Sequence, residues 1–370
     1  MFPLKRYIAR YDGYSPLHGQ APSRRLTFPV VVLLLISASV LVTSVIFNIV
    51  YIVKSTQRWP RPFDDFQNLN QSPFWDGNAT AFVSSGENAI VTTLYTDSYA
   101  PAVAALGHSL RKANTHARLI VLYLPSKISP ASLCLATSSG FSPHPVERIS
   151  PPHEGKGLDP HFVDQFTKLS LWSLDTIGIR SLMYLDADTI VVRNFDEVFG
   201  LPYRFAAVPD IWGDWRGLTV EFNAGVLFLR PNSTVLRHMV EVLPTARFPP
   251  KFAEQAYLNQ YFAADAVRLP IMYNGNLAVK NKFPKLWEGM RNTMRVIHFT
   301  MTKPFVGPYP GYELVPLDML PERVKDSAKE FNGLYKEEVE LWGQMWEETR
   351  AAYGQQIDEC FKLPTQPGRF

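Results

Sequence analysis

The chain has 370 residues and a formal net charge of +3. That length suits one large domain or two small ones, and the near-neutral balance removes the electrostatic case for a nucleic-acid partner. Its two cysteines, Cys134 and Cys360, lie far apart and offer neither a disulfide framework nor a metal-ligand spacing, so whether they pair stays open.

Residues 1–29 form a basic tail, with Lys5, Arg6, Arg10, Arg24 and Arg25 set against Asp12. Residues 30–53 carry no charge. As a helix they extend about 36 Å at ~1.5 Å per residue, enough for a bilayer core of ~30 Å. The stretch starts too late and runs too long for a cleaved signal peptide. It predicts an uncleaved transmembrane signal anchor, with a cytoplasmic tail and the body on the far side. Residues 54–86 are rich in Pro, Asn, Gln and Ser without a persistent period, the pattern of a stem. Asn78-Ala79-Thr80 and Asn232-Ser233-Thr234 can accept N-glycans, in keeping with a luminal body.

At residue 87 the texture changes. Strands over 89–95 and 119–124 flank a helix with Pro101 in its first turn and Val103, Leu106 and Leu110 on one face. That unit predicts a parallel sheet and an α/β fold. Ser129-Pro130 opens a helix, and 145–150 predicts a third strand. A helix over 161–177 places Phe162, Phe166, Leu169 and Trp172 on one side, with Lys168 near its middle. Gly155-Lys156-Gly157 lacks the spacing of a phosphate-binding loop. Strands follow at 182–185, 205–210 and 295–300, residues 222–229 read as a turn entering another buried strand, and short helices lie at 235–243 and 254–262. The body spans 87–310. Residues 311–370 form a C-terminal helical extension whose Val339, Trp342 and Trp346 share a face that packs on the body.

The 182–185 strand runs into Asp186-Ala187-Asp188. Along a strand both carboxylates project to one side and Ala187 to the other. Two close carboxylates repel, and a divalent cation with oxygen ligands resolves the conflict. A bare Asp-x-Asp is more often a pair of solvated aspartates at a strand end, so the motif needs partners. Ligand sites of open α/β sheets lie beyond the carboxyl ends of strands, where Asp188, Asp210 and His298 are expected.

The ordered blocks TDSY, FTKLSLWSL, YLDADTIVVRNFDEVF, FNAGVLFLRP, EQAYLNQYF and VIHFTMTKPF, over about residues 89–305, resemble the glycogenin-like family 8 of retaining glycosyltransferases. The resemblance implies a GT-A fold, a nucleotide-sugar donor (UDP-sugar) and a divalent metal, usually Mn2+. It implies Asp186, Asp188 and His298 as metal ligands, with Ala187 between the aspartates. Thr93, Tyr95, Thr96 and Tyr99 match the uridine-binding strand and turn, and Lys168 a donor contact. Asp210, Asn223 and Ala224 match the sugar side, Glu254-Gln255 an Asp-Gln pair, and Lys303 a diphosphate contact. Three departures stand out: Glu254 for Asp, Ala224 for Ser, and a spacing from His298 to Lys303 shorter by one residue. With the anchor, the resemblance implies a type II membrane protein of the Golgi or ER acting on a glycan or glycoconjugate acceptor.

For retention of configuration, Glu254 or Asp210 can serve as a nucleophile, or Gln255 can support an oxocarbenium-like state while the acceptor attacks on the leaving-group face. Two other functions use the same fold: a catalytically inactive, membrane-anchored glycan-binding or scaffold protein, which would show a broken metal set, and a nucleotide-sugar hydrolase.

Overall fold

The computed structural model describes residues 27–56, 86–211 and 221–362. It divides into two compact units, Met1–Trp59 and Pro60–Phe370. The stem and Asn78 lie outside the described residues.

In the first unit, helix α1 (Phe28–Thr56) is long and apolar enough over Phe28–Ile52 to cross a membrane. Its polar side chains bond to their own helix: Thr43 Oγ1 donates to the Ser39 carbonyl at 2.7 Å and Asn48 Nδ2 to that of Ser44 at 2.8 Å. Such bonds would satisfy these groups in an apolar surrounding.

The second unit begins with β1 (Asn88–Leu94), α2 (Ala100–Lys112), β2 (Arg118–Tyr123), α3 (Pro130–Thr137) and β3 (Ser142–Pro145). Strand β1 pairs in parallel with β2, and β2 with β3. The sequence places the third strand later, at 145–150. The α3 cap follows the sequence, since the Ser129 hydroxyl accepts from the Ser132 amide. The expected 161–177 helix is instead a short 3-10 turn, Pro160–Phe162, and a 3-10 segment, Gln165–Ile177. Phe166, Leu169 and Trp172 are buried along it at intervals of three, the spacing that a threefold helix aligns on one side.

Next come β4 (Ser181–Leu185), β5 (Thr189–Val191), β6 (Phe205–Pro209) and β7 (Phe222–Leu229). The chain continues through α4 (Ser233–Val242), α5 (Ala253–Tyr261), β8 (Val267–Arg268), β9 (Gly275–Asn276), α6 (Leu277–Lys282), α7 (Pro284–Met290) and β10 (Val296–His298). The main sheet has the order β3-β2-β1-β4-β7-β6-β8, and a small sheet has the order β5-β10-β9. Strand β4 is parallel to β1 but antiparallel to β7, so the parallel half ends where those two strands meet. Asp186-Ala187-Asp188 does not continue a strand. It is the turn at which the chain leaves the main sheet after Leu185 and enters the small one at Thr189.

Helices α8 (Leu320–Ser327) and α9 (Lys336–Cys360) close the chain. Helix α9 packs on α2, α3 and α8, burying Val339, Trp342 and Trp346 as their shared face predicts. Trp342 lies 5.5 Å from Phe305, and Phe305 lies 5.1 Å edge-on from Tyr99, so the C-terminal region supports the turn after β1. Cys134 and Cys360 are disulfide-bonded, with Cα atoms 5.5 Å apart, tying α3 to the end of α9. Sequence spacing gave no framework for this bond because only tertiary packing brings α3 and α9 together.

Candidate active site

Backbone bonds clamp the aspartate turn. The Asp186 amide donates to the Gly225 carbonyl at 2.8 Å, and the Phe299 amide to that of Asp188 at 2.9 Å. Strand β7 thus holds one end and the residue after β10 the other. Asp186, Asp188 and His298 converge, with one ligand atom from each within 4.8 Å of the others. His298 Nε2 lies 3.2 Å from Asp188 Oδ1 and 3.8 Å from Asp186 Oδ2.

Each aspartate has its own lysine. Lys303 Nζ donates to Asp188 Oδ2 and to the Phe299 carbonyl. Burial alone would raise the Asp188 carboxyl, but Lys303 and then His298 outweigh it and hold it well below the usual carboxylate range. Lys168 is only 2% exposed. Its ammonium meets Glu254 Oε1 at 2.7 Å, Asp186 Oδ1 at 3.1 Å and the Ala224 carbonyl at 3.2 Å. The ammonium donates to Glu254 and to the Ala224 carbonyl and forms an ion pair with Asp186. Burial favours the neutral amine, yet Asp186 and Glu254 reverse that and raise the Lys168 pKa above its ordinary value. Tyr184 also donates to Asp186 Oδ1 at 2.5 Å and shares a 2.9 Å bond with Thr93.

A line of amides runs from the acid after β6 to the histidine. Gln255 Nε2 donates to Asp210 Oδ2 at 2.7 Å, and Asn223 Nδ2 donates to Gln255 Oε1 at 3.3 Å. Asn274 Nδ2 donates to Asn223 Oδ1 at 3.0 Å, and Asn274 Oδ1 lies 3.1 Å from His298 Nδ1. Sequence reasoning missed Asn274 and Tyr184. Asn274 sits in Tyr-Asn-Gly-Asn, which reads as turn chemistry, and Tyr184 sits in an apolar run.

Around the first turn, Thr93 is buried beside Tyr184, whereas Thr96 is exposed and bonds Ser98. The Tyr95 hydroxyl is buried with no hydrogen-bond partner, and burial, with Glu254 next in weight, pushes its pKa up. Burial likewise raises Tyr99, although Lys303 opposes the shift. Ala187 and Ala224 are small buried residues packed on the two core faces.

The residues suit a divalent cation. Two carboxylates and an imidazole form a mixed oxygen and nitrogen set. The space between them is tight: a Cβ on Gly225 would come within 2.3 Å of His298 Cε1 and 2.9 Å of Asp186 Oδ2. Any larger residue there would fill the cradle.

Comparison with known proteins agrees with this layout. The sequence profile of glycosyl transferase family 8 matches residues 90–305. A glycogenin of Neurospora crassa is 31% identical over 60% of this chain and 32% of its own, so the chain spans about a third of that relative. Galactinol synthase 1 of Solanum lycopersicum is 28% identical over 54% of this chain and 67% of its own. Among solved structures, the galactosyltransferase LgtC in complex with donor and acceptor sugar analogs overlaps 64% of this chain and 95% of its own, at 18% identity and a TM-score of 0.44. The chain belongs to glycosyl transferase family 8 and has the GT-A fold expected from its sequence.

Proposed function

We propose that this chain is a metal-dependent, retaining glycosyltransferase that moves a sugar from a UDP-sugar to a glycan or glycoconjugate acceptor in the secretory lumen. The observation that carries the proposal is the convergence of Asp186, Asp188 and His298 beside Lys303 in a family 8 fold. Asp186, Asp188 and His298 would hold the cation, with manganese the best match to a mixed carboxylate and imidazole set. When bound, the cation neutralises diphosphate charge as it grows on the leaving group. Lys303 lies beside that position and adds a positive charge. Thr93, Tyr95, Thr96 and Tyr99 form the wall assigned to uridine, and Tyr95 offers an unused hydroxyl there. Asp210, Asn223 and Gln255 face the sugar side.

Lys168 and Glu254 hold Asp186 from below, and we read both as positioning residues. Glu254 is buried with Oε1 on the Lys168 ammonium, which argues against it as nucleophile. The Gln255 carbonyl oxygen already accepts from Asn223 and the Ala224 amide, so Gln255 acts by fixing Asp210. These assignments favour acceptor attack on the leaving-group face, with the Asp210 carboxylate stabilising positive charge near the sugar.

Three features support a Golgi or ER membrane location: the apolar α1, the Cys134–Cys360 bond, which persists in oxidising compartments, and the exposed Asn232 sequon. Protease treatment of sealed microsomes should leave the body intact. The functional test is a UDP-sugar donor screen of the full chain with manganese, with and without glycan acceptors. Acceptor-dependent transfer is the expected result. Free-sugar release unaffected by acceptor would favour the hydrolase, and no turnover of any donor would favour the inactive scaffold.

A further inference from the structure

We propose that Asn274 is a positioning residue that fixes which nitrogen of His298 faces the two aspartates. The inference rests on the metal site proposed above. An amide side chain has similar shapes in its two flipped forms, so its direction must come from its neighbours. Two backbone N–H groups supply it, because such groups only donate. The Gly225 amide lies 3.0 Å from one Asn223 side-chain atom, which is therefore Oδ1. The Ala224 amide lies 3.0 Å from one Gln255 side-chain atom, which is therefore Oε1. The two assignments meet without conflict, since Asn223 Nδ2 then faces Gln255 Oε1.

The polarity propagates both ways. Gln255 must present Nε2 to Asp210. Asn223 Oδ1 needs a donor opposite, so Asn274 must present Nδ2 to it and Oδ1 to His298. His298 Nδ1 must therefore carry hydrogen, which directs Nε2 at Asp188 and Asp186. Asn274 and His298 are both buried, so the Asn274 amide oxygen is the group that meets Nδ1 in the intact protein. A ligating imidazole held at its other nitrogen keeps its tautomer and ring orientation.

The test uses the full chain in detergent. Nitrogen-15 NMR of histidine-labelled, metal-free protein, with the signal assigned through His298→Gln, should show His298 protonated at Nδ1. Electron paramagnetic resonance of free Mn2+ then measures affinity. Asn274→Ala should weaken Mn2+ binding about 10- to 100-fold. Asn274→Asp keeps an oxygen acceptor for Nδ1 but loses the donor to Asn223, and should retain an affinity above that of Asn274→Ala. A bare Nδ1 in the wild type overturns the inference, as does a folded Asn274→Ala variant that binds Mn2+ like the wild type. Should Asn274→Ala fail to fold, weaker binding by Asn274→Asp than by Asn274→Leu would also overturn it. The NMR arm requires no metal, so a wild type that shows Nδ1–H but binds no Mn2+ upholds the relay and removes the metal site proposed under the function.

Discussion

The inner and outer sides of the aspartate turn each rest on a lysine, and they are built differently. On the inner side Lys168 lies on a 3-10 segment under the sheet, donating to Glu254 and the Ala224 carbonyl and paired with Asp186. On the outer side Lys303 lies on the segment that follows β10, with its side chain 13% exposed and bonds to Asp188 and the Phe299 carbonyl. A cation buried against three oxygen partners fixes geometry, whereas a cation at the edge of the site can exchange partners when charge arrives. Two lysines that look alike in sequence thus divide into one that sets the turn and one to which we assign, as a proposal, the leaving group.

Substitution should separate them. Lys168→Met leaves Glu254 buried without its partner and should cost about 3–5 kcal/mol of stability, measured by denaturant unfolding. Adding Glu254→Leu should recover much of that loss, because an apolar pair avoids the desolvation cost. If Lys168→Met unfolds like the wild type, the inner pair is not what holds the turn. Lys303→Ala should act on both turnover and stability. It should lower turnover about 10²- to 10³-fold at saturating manganese, or ~2.7–4 kcal/mol in barrier. Because Asp188 loses its counter-ion, it should also lower the unfolding midpoint of the metal-free protein, and manganese should restore that midpoint, which it should not do for Lys168→Met.

The outer side also depends on the C-terminal helix through the Trp342, Phe305 and Tyr99 contacts. Replacing Cys134 and Cys360 by Ser should cost about 2–4 kcal/mol. Limited proteolysis should then show earlier cleavage near the C-terminal helix than in the β4 and β7 region. The smallest effect is with pH. The Lys168 pKa is raised in the folded state, so its stabilisation is complete below the unfolded value of about 10.4 and fades only as pH climbs through the higher folded one. The gap in stability between wild type and Lys168→Met should therefore stay flat from pH 7 to pH 9.

Much of this architecture is legible in local sequence. The apolar run through Leu229 announces strand β7, although the sequence reads a turn at the start of 222–229 and the strand takes in the whole stretch, Phe222–Leu229. The family resemblance singled out Asp186, Asp188 and His298 as a ligand set, and the structure brings those three together. Their geometry was not legible. The aspartates lie in a turn because the chain changes sheets there, and no local pattern announces a change of sheet. The same limit hid the Cys134–Cys360 bond, with 226 residues between the partners. It also hid Asn274, whose role comes from contacts with Asn223 and His298, far from it in sequence. Glu254 looked like a departure from an Asp-Gln pair, yet the longer side chain is the one that meets Lys168 here.

The central claim is that Asp186, Asp188 and His298 bind one cation that transfer requires. It is tested most directly by following UDP release from a UDP-sugar as manganese is titrated into wild type and Asp188→Asn. Asp188→Asn keeps the side-chain shape but removes a charge. The wild type should saturate with manganese, and the folded variant should stay at least about 10³-fold below it, a loss of ~4 kcal/mol in transition-state stabilisation. Wild-type turnover in Asp188→Asn, at any manganese concentration, would contradict the account.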